Sequence, residues 1–347
     1  MEILKLDDAE KVARLLERYI QSAHLNFLFG SGASMPAIQL AGNVEQEVDQ
    51  HLVASEYEEA NKKALTFIEE LEYQHGFLPA GYTEGDDTDI TLKNYLHFLS
   101  SIDRILFERK NILLPRQANV FTTNYDEFFE VAASLLPSLV LNDGFNRRIG
   151  NSGFEFAPEL FFDRVYRSGT VYQHQSEIPA INLIKVHGSI SWKRQANEKI
   201  TLGEPETDQL TVVQKNNPKD VSDALAKRAV ILPNMRKFES TLLDRVYFDL
   251  LRLYSNAMEM ENALLFVFGF SFADEHILDI TRRALRNPTA QVVVFSYSQK
   301  GAVDLEAKFS AYRNVIIIKP TDSQYIDFPV LNSLFDKIGA VPEALHD

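Results

Sequence analysis

The sequence predicts a doubly wound α/β fold: a parallel sheet with helices on both faces and an inserted helical module. Three observations predict it. Six short apolar runs are bounded by turn residues, amphipathic stretches of helical length lie between several of them, and residues 43–114 interrupt the alternation with helical segments alone. The runs are LNFLF at 25–29, NVFTT at 119–123, INLIKVHG at 181–188, ALLFVFGF at 263–270, QVVVFSY at 291–297 and NVIIIK at 314–319. Continuous apolar character is the mark of parallel strands buried on both faces, whereas a half-exposed strand alternates.

In chain order, MEILKLDDAEKVARLLERYI reads as an amphipathic charged helix, and LNFLF as the first strand, ending in GSGAS. Residues 43–114 hold two or three helical segments, VEQEVDQHLVASEYEEANKKALTFIEELEYQH and TLKNYLHFLSSIDRILFER. The loop between them, GFLPAGYTEGDDTD, carries glycines, a proline and acids, and reads as solvent-exposed. The domain division that follows is 1–42 with 115–347 as one unit and 43–114 as the insert. Residues 142–180 are rich in Phe, Arg, Asn and Gly without a clear period, and polar residues 194–222 suit a hairpin or mobile loop. No internal repeat or low-complexity tract interrupts this pattern.

Composition narrows the chemistry. A chain of 347 residues with 45% hydrophobic content suits one large packed domain with an insertion, or two lobes. No stretch approaches the roughly 18 uninterrupted apolar residues of a membrane span, and the charged N-terminus is unlike a signal peptide, so a cytoplasmic location is expected. The absence of cysteine excludes disulfides, thiolate metal sites and cysteine nucleophiles. With 35 basic and 49 acidic residues the net charge is −14, which disfavours nonspecific nucleic-acid binding; the best basic patch is Arg147, Arg148, Arg164 and Arg167, which also fits a solvated loop.

Ligands of open α/β sheets sit at the carboxyl ends of strands, and four such ends here are unusual. GSGAS places Gly30 and Gly32 where backbone amides can approach a phosphate, although a tight turn fits the same residues. TTNYD places Thr123, Asn124 and Asp126 at the next end, with Asp126 also suited to capping the following helix. KVHGS puts His187 at a third, where a satisfied core histidine is the alternative. GFSFADEHI supplies Gly269 and Ser271, and Ser271 and Asp274 both fit N-cap positions. Asp274, Glu275, His276 and Asp279 offer metal-type ligands, but neighbours on a helix point to different faces, and no metal is expected.

As a set, these motifs resemble those of sirtuins. GSGAS resembles the GAGxS loop, TTNYD the TQNxD motif, VHGS the strand-end His-Gly that carries the general base, and GFSF the GTS element, all in the same order. The resemblance implies a Rossmann-like NAD-binding domain. By it, Gly30, Ser31, Gly32 and Ala33 line the NAD diphosphate, with Ser34 near the cofactor. Thr123, Asn124 and Asp126 shape the nicotinamide-ribose end, His187 is the general base, Gly269 and Ser271 contact the adenosine side, and Ser296 the adenosine ribose. Sirtuin deacylases also carry a zinc module held by four cysteines and an aspartate-phenylalanine-arginine stretch after GAGxS. This chain has no cysteine and reads MPAIQL there.

With those departures the chain is more similar to the sirtuin-like domains of bacterial anti-phage systems, which hydrolyse NAD. The resemblance implies an NADase with Asn124 and His187 as catalytic residues and NAD as substrate. An NAD-binding sensor or a structural subunit without catalysis is the alternative. The short chain after the last strand-like motif leaves little room for a sensor domain. Control is therefore expected from homo-oligomerisation or a separately encoded activator, by resemblance a HerA-type ATPase, with the insert and the N-terminal helix as candidate interfaces.

Overall fold

The computed structural model describes the chain apart from residues 39–41, 76–81, 112, 148–153, 170–174, 196–198, 207–208, 232–244, 323 and 340–347. Eight strands, numbered along the chain with those of a smaller sheet, form the central layer. They are β1 (Glu2–Lys5), β2 (His24–Phe29), β3 (Gln117–Thr122), β4 (Val140–Asn142), β9 (Ala180–Lys185), β13 (Ala263–Phe268), β14 (Gln291–Phe295) and β15 (Val315–Lys319). All pair in parallel, in the order β1-β15-β14-β13-β2-β3-β9-β4.

From β2 the chain builds outward through β3 and β9, then returns past β2 to build β13, β14 and β15 on its other side. The order therefore reverses between β2 and β13, the switch point at which doubly wound sheets open a crevice. The expected fold class is the one observed.

Both faces of the sheet are covered. Leu25, Phe27 and Phe29 of β2 enter one core with α1 (Ala9–Ile20), α4 (Asp87–Phe107) and α5 (Phe128–Ser134). Leu28 enters the other, with α8 (Arg245–Glu259), α9 (Glu275–Ala284) and α10 (Gln299–Phe309). The helix α11 (Phe328–Asp336) joins the first core. This two-sided burial is why the strands read as unbroken apolar runs.

Between the strands of the first crossover lie α2 (Gly42–Val53), α3 (Tyr57–His75) and α4. Val48 of α2 and Ala60 and Ala64 of α3 make a small cluster of their own, whereas α4 lies in the main core through Leu92, Tyr95, Phe98, Leu99 and Ile102. The helix α4 begins earlier than its apolar pattern suggests. Asp86 caps it, accepting from Asp89 N at 2.8 Å, so Asp87 to Asp89 are helical and not part of the expected loop.

The N-terminus is a second correction. Residues 2–5 are a strand in register with Ile316 to Lys319, and the helix starts only at Ala9, where Asp8 accepts from Lys11 N at 3.0 Å. An open edge of β15 accepts the strand, and the cap sets where the helix can begin.

A row of asparagines crosses four strands. Asn119 Nδ2 donates to Asn26 Oδ1 at 2.9 Å, Asn182 Nδ2 to Asn119 Oδ1 at 2.9 Å, and Asn142 Nδ2 to Asn182 Oδ1 at 3.1 Å. Where both faces are apolar, a two-residue slip exchanges one apolar side chain for another. This row resists the slip, because buried amides would lose their partners.

A second sheet, in the order β12-β10-β11-β6-β5, draws its strands from both sides of β9 in the chain. It comprises β5 (Phe145–Asn146), β6 (Phe154–Phe156), β10 (Gly188–Arg194), β11 (Ile200–Leu202) and β12 (Arg228–Val230), while β7 (Tyr166–Ser168) and β8 (Gln175–Glu177) pair separately. The run INLIKVHG is thus not one strand: β9 ends at Lys185 and β10 starts at Gly188, leaving Val186 and His187 at the junction. The polar stretch 194–222 takes in the turn side and second strand of a hairpin, β10 with β11, followed by α6 (Val212–Lys215) and the start of α7 (Pro218–Lys227).

Candidate functional site

The four unusual strand ends belong to four neighbouring strands, β13, β2, β3 and β9. Parallel pairing puts all four carboxyl ends on one edge of the sheet. Phe29, the last residue of β2, underlies this edge, with its ring 4.8 Å from Phe98, 5.2 Å from Phe129 and 5.9 Å from Phe268.

At the switch point the loops after β2 and β13 touch backbone to backbone. Gly32 N donates to Gly269 O at 3.0 Å, and Gly30 N to Phe268 O at 3.1 Å. A Cβ on Gly30 would lie 2.5 Å from Gly269 O, and Gly269 has φ +64°, so this approach requires glycine on both sides. Ala33 N donates to Gly30 O at 3.0 Å. The amides of Gly30, Gly32 and Ala33 are thereby committed within the protein, and half-exposed Ser31 N has no acceptor among the described residues.

Next to that loop, Asn124, Ser34, Asp126 and Tyr95 form one buried network. Asn124 Nδ2 donates to Gly30 O at 3.1 Å and to Ser34 Oγ at 2.9 Å, and Ser34 Oγ donates to Asp126 Oδ2 at 2.7 Å. Ser34 has one proton, already directed at Asp126, so the 2.9 Å contact with Tyr95 requires the phenol to donate. Burial pushes the Tyr95 pKa well above its usual value, which keeps that phenol protonated. The carbonyl of Gly30 fixes the Asn124 amide orientation, leaving Oδ1 with no protein donor among the described residues. Thr123 holds the strand end by donating its N–H to Phe29 O at 3.1 Å.

Asp126 stands one residue before the cap position of α5 but still accepts from a first-turn amide. Glu127 occupies the cap without a side-chain bond, and Asp126 Oδ1 takes only Phe128 N at 3.3 Å while Oδ2 takes Ser34. The carboxylate thus serves a local donor with one oxygen and a tertiary donor with the other.

One step along the edge, Lys185 is buried at the end of β9. Its Nζ donates to Glu130 Oε1 at 2.7 Å, to Ser189 Oγ at 2.8 Å and to Asp126 O. Burial raises the Glu130 pKa to about 7 against the pull of Lys185. This ammonium ties the ends of β3 and β9 to the start of β10.

His187 follows at the β9–β10 junction, and its Nε2 lies 3.1 Å from Asp274 Oδ2, with side chains 6% and 8% exposed. The other oxygen, Asp274 Oδ1, caps α9, accepting from His276 N at 2.9 Å and Ile277 N at 3.2 Å. Of the two predicted caps only Asp274 serves; Ser271 is exposed, with its carbonyl accepting from Lys308 Nζ at 2.8 Å. Ser296 is buried at the end of β14, its hydroxyl turned back to Ser298 O at 2.8 Å.

Arg147 pairs with Asp143, Arg148 lies outside the described residues, and Arg167 sits on β7. Sequence reasoning did not find Tyr95, Lys185 or Glu130, or that Asp274 faces His187. An ionisable lysine within a run of apolar strand residues was the available signal for Lys185.

Strand order and the polar edge at the switch point define a Rossmann-like α/β protein with a site at the carboxyl ends of its strands. Within that class, the chain belongs to the SIR2-like domain family: residues 118–318 match the family's model, more than half of the chain. The match takes in β3 through β15, with Asn124, His187 and Asp274, while the Gly30 loop and α4 precede it. SIR2-like domains bind NAD and form an NAD-dependent enzyme superfamily. A comparison with curated proteins finds no match.

Proposed function

We propose that this protein hydrolyses NAD at the nicotinamide–ribose bond, releasing nicotinamide and ADP-ribose. The observation that carries the reading is the meeting, on adjacent strand ends, of Asn124 with an uncommitted amide oxygen and of His187 held by Asp274. Water supplies hydroxide to the anomeric carbon, the bonding electron pair leaves with the nicotinamide nitrogen, and the water proton passes to a base. Asn124 Oδ1 accepts from the attacking water or from the nicotinamide carboxamide. His187 takes the proton near neutral pH. The Gly30, Ser31, Gly32, Ala33 and Ser34 loop, with Gly269 and Ser271, flanks the diphosphate and adenosine, and Ser31 N is the amide available to an anion.

The cellular role we propose is anti-phage defence through NAD depletion, on the resemblance of GSGAS, TTNYD, VHGS and GFSFADEHI to such effectors. In this reading 1–42 and 115–347 bind NAD, and 43–114 forms the surface for self-association or for a HerA-type ATPase. The test is nicotinamide release by wild type, Asn124→Ala and His187→Ala, each alone and with a candidate HerA-type ATPase added. Loss of release in both variants is expected; full turnover by both overturns the assignment.

A second reading, an NAD-binding sensor or structural subunit, draws on one observation: the Gly30, Gly32 and Ala33 amides already donate inside the protein. A sensor shows an NAD-dependent thermal shift with no nicotinamide released under any activating condition. A structural subunit shows neither.

A further inference from the structure

We propose that Asp274 is a positioning residue for His187, holding the imidazole with its proton on Nε2 so that Nδ1 is the basic nitrogen. The inference rests on the reading of His187 as the general base for its functional consequence, but the positioning itself can be measured without turnover.

The argument begins with the division of labour between the two carboxylate oxygens. Oδ1 accepts two amides at the start of α9, at 2.9 Å from His276 and 3.2 Å from Ile277. Those donors, and the positive end of a ten-residue helix, favour the ionised carboxylate. An ionised carboxylate only accepts. The 3.1 Å contact between Oδ2 and His187 Nε2 therefore requires the proton on Nε2, and a neutral imidazole with that proton keeps its lone pair on Nδ1.

The backbone of His187 is held independently. Its carbonyl accepts from Ile231 N at 2.8 Å, and the next residue, Gly188, has φ +81° with the place of a Cβ filled by the Ala229 carbonyl. The imidazole is thus fixed at its root by the β9–β10 turn and at its tip by Asp274. The pair also spans the edge. His187 follows β9 and Asp274 follows β13, and between them in the sheet lie β2 and β3, the strands that end in Gly30 and Asn124. At about 4.8 Å per strand β9 and β13 are on the order of 14 Å apart, so it is the loops after these two strands that converge to bring the pair into contact.

Asp274→Asn separates orientation from folding. Asparagine caps helices as well as aspartate does, and its oxygen must face the α9 amides, so its NH2 is turned toward His187. That donor requires a lone pair on Nε2 and moves the proton to Nδ1. Asp274→Ser keeps a capping oxygen and removes the carboxylate oxygen that faces His187.

The experiment is long-range 1H–15N correlation of the histidine rings in the full chain, assigned with His187→Gln, alongside nicotinamide release. Wild type is expected to show the Nε2–H tautomer at His187 and Asp274→Asn the Nδ1–H tautomer, with kcat lower by on the order of 100-fold or more and KM changed far less. A wild-type Nδ1–H tautomer, or a tautomer unmoved in Asp274→Asn, overturns the proposal. If the tautomer moves but no form of the protein releases nicotinamide, the hydrolase reading fails and the positioning role stands. If wild type and Asp274→Asn release nicotinamide equally from an unchanged tautomer, the positioning role fails and the hydrolase stands.

Discussion

Asn124 and Ser34 meet at 2.9 Å, amide to hydroxyl, and through that bond the end of β3 is fastened to the loop after β2. The hydroxyl is the hinge of the network, since it accepts from Asn124 and Tyr95 and donates to Asp126. Ser34→Ala leaves the Asp126 oxygen without its donor in a buried place. We expect a loss of about 1–3 kcal/mol in urea unfolding, and a fall in nicotinamide release as Asn124 loses one of its two close anchors. Unchanged stability would show that water replaces the hydroxyl.

A second test concerns the link between α3 and β12. Arg228 grips Glu72 with Nε at 2.9 and 3.1 Å and Nη2 at 2.6 Å, both side chains at most 5% exposed. Burial raises the Glu72 pKa even against Arg228, the mark of a pair whose desolvation is costly. Glu72→Ala alone strands a buried guanidinium and is expected to cost about 3–5 kcal/mol, while Glu72→Leu combined with Arg228→Met costs less than the single change. A double-mutant cycle by urea unfolding measures this, and additive losses would refute the coupling.

The pH dependence of stability follows from Glu130. Its carboxyl is raised from 4.5 to about 7 by burial, so between those values the folded state binds more protons than the unfolded state. Stability from this group is therefore highest at low pH, declines as pH rises from 4.5 to about 7, and is level above that. Burial raises Glu127 in the same direction. Against Glu130→Gln, whose side chain does not titrate, the wild type's relative stability is expected to shrink across that window. Unfolding at pH 5, 6, 7 and 8 reads the difference, and a gap that widens with pH contradicts the assignment.

The asparagine row makes a further prediction. Asn119 sits mid-row, bonded to Asn26 and Asn182 at 2.9 Å each. Asn119→Leu leaves an oxygen of Asn26 and an amide of Asn182 without this partner. We expect about 1–3 kcal/mol lost at each unsatisfied group, together with slower amide exchange lost in β3. Exchange protection equal to wild type would remove the row's role in register.

The fold class was legible because two-sided burial of parallel strands is written into the chain as apolar runs such as ALLFVF and NVIIIK, each a local property. Residues at strand ends were equally legible: Gly30 and Gly269 follow their strands directly, and Asn124 and His187 come two residues after theirs. The row was visible only in part, as one asparagine in each of LNF, ANV, INL and VLN, because nothing local says that four such residues lie side by side.

Other features depended on competition between distant partners. EILK became a strand because β15 offered an open edge, and Asp126, beside its helix start, also takes the hydroxyl of Ser34 from a loop far away in sequence. Tyr95 lies in a helix whose pattern announces only a core face, yet its hydroxyl enters the site. The sequence by itself determined the parallel sheet, the glycine loops and the residue types at each strand end, since backbone conformation and burial pattern are local constraints. Only the tertiary structure decided that β13, β2, β3 and β9 are neighbours, and that Asp274, a helix cap by its local sequence, also faces His187. Those pairings depend on strand order, and strand order is set by packing between segments far apart in the chain.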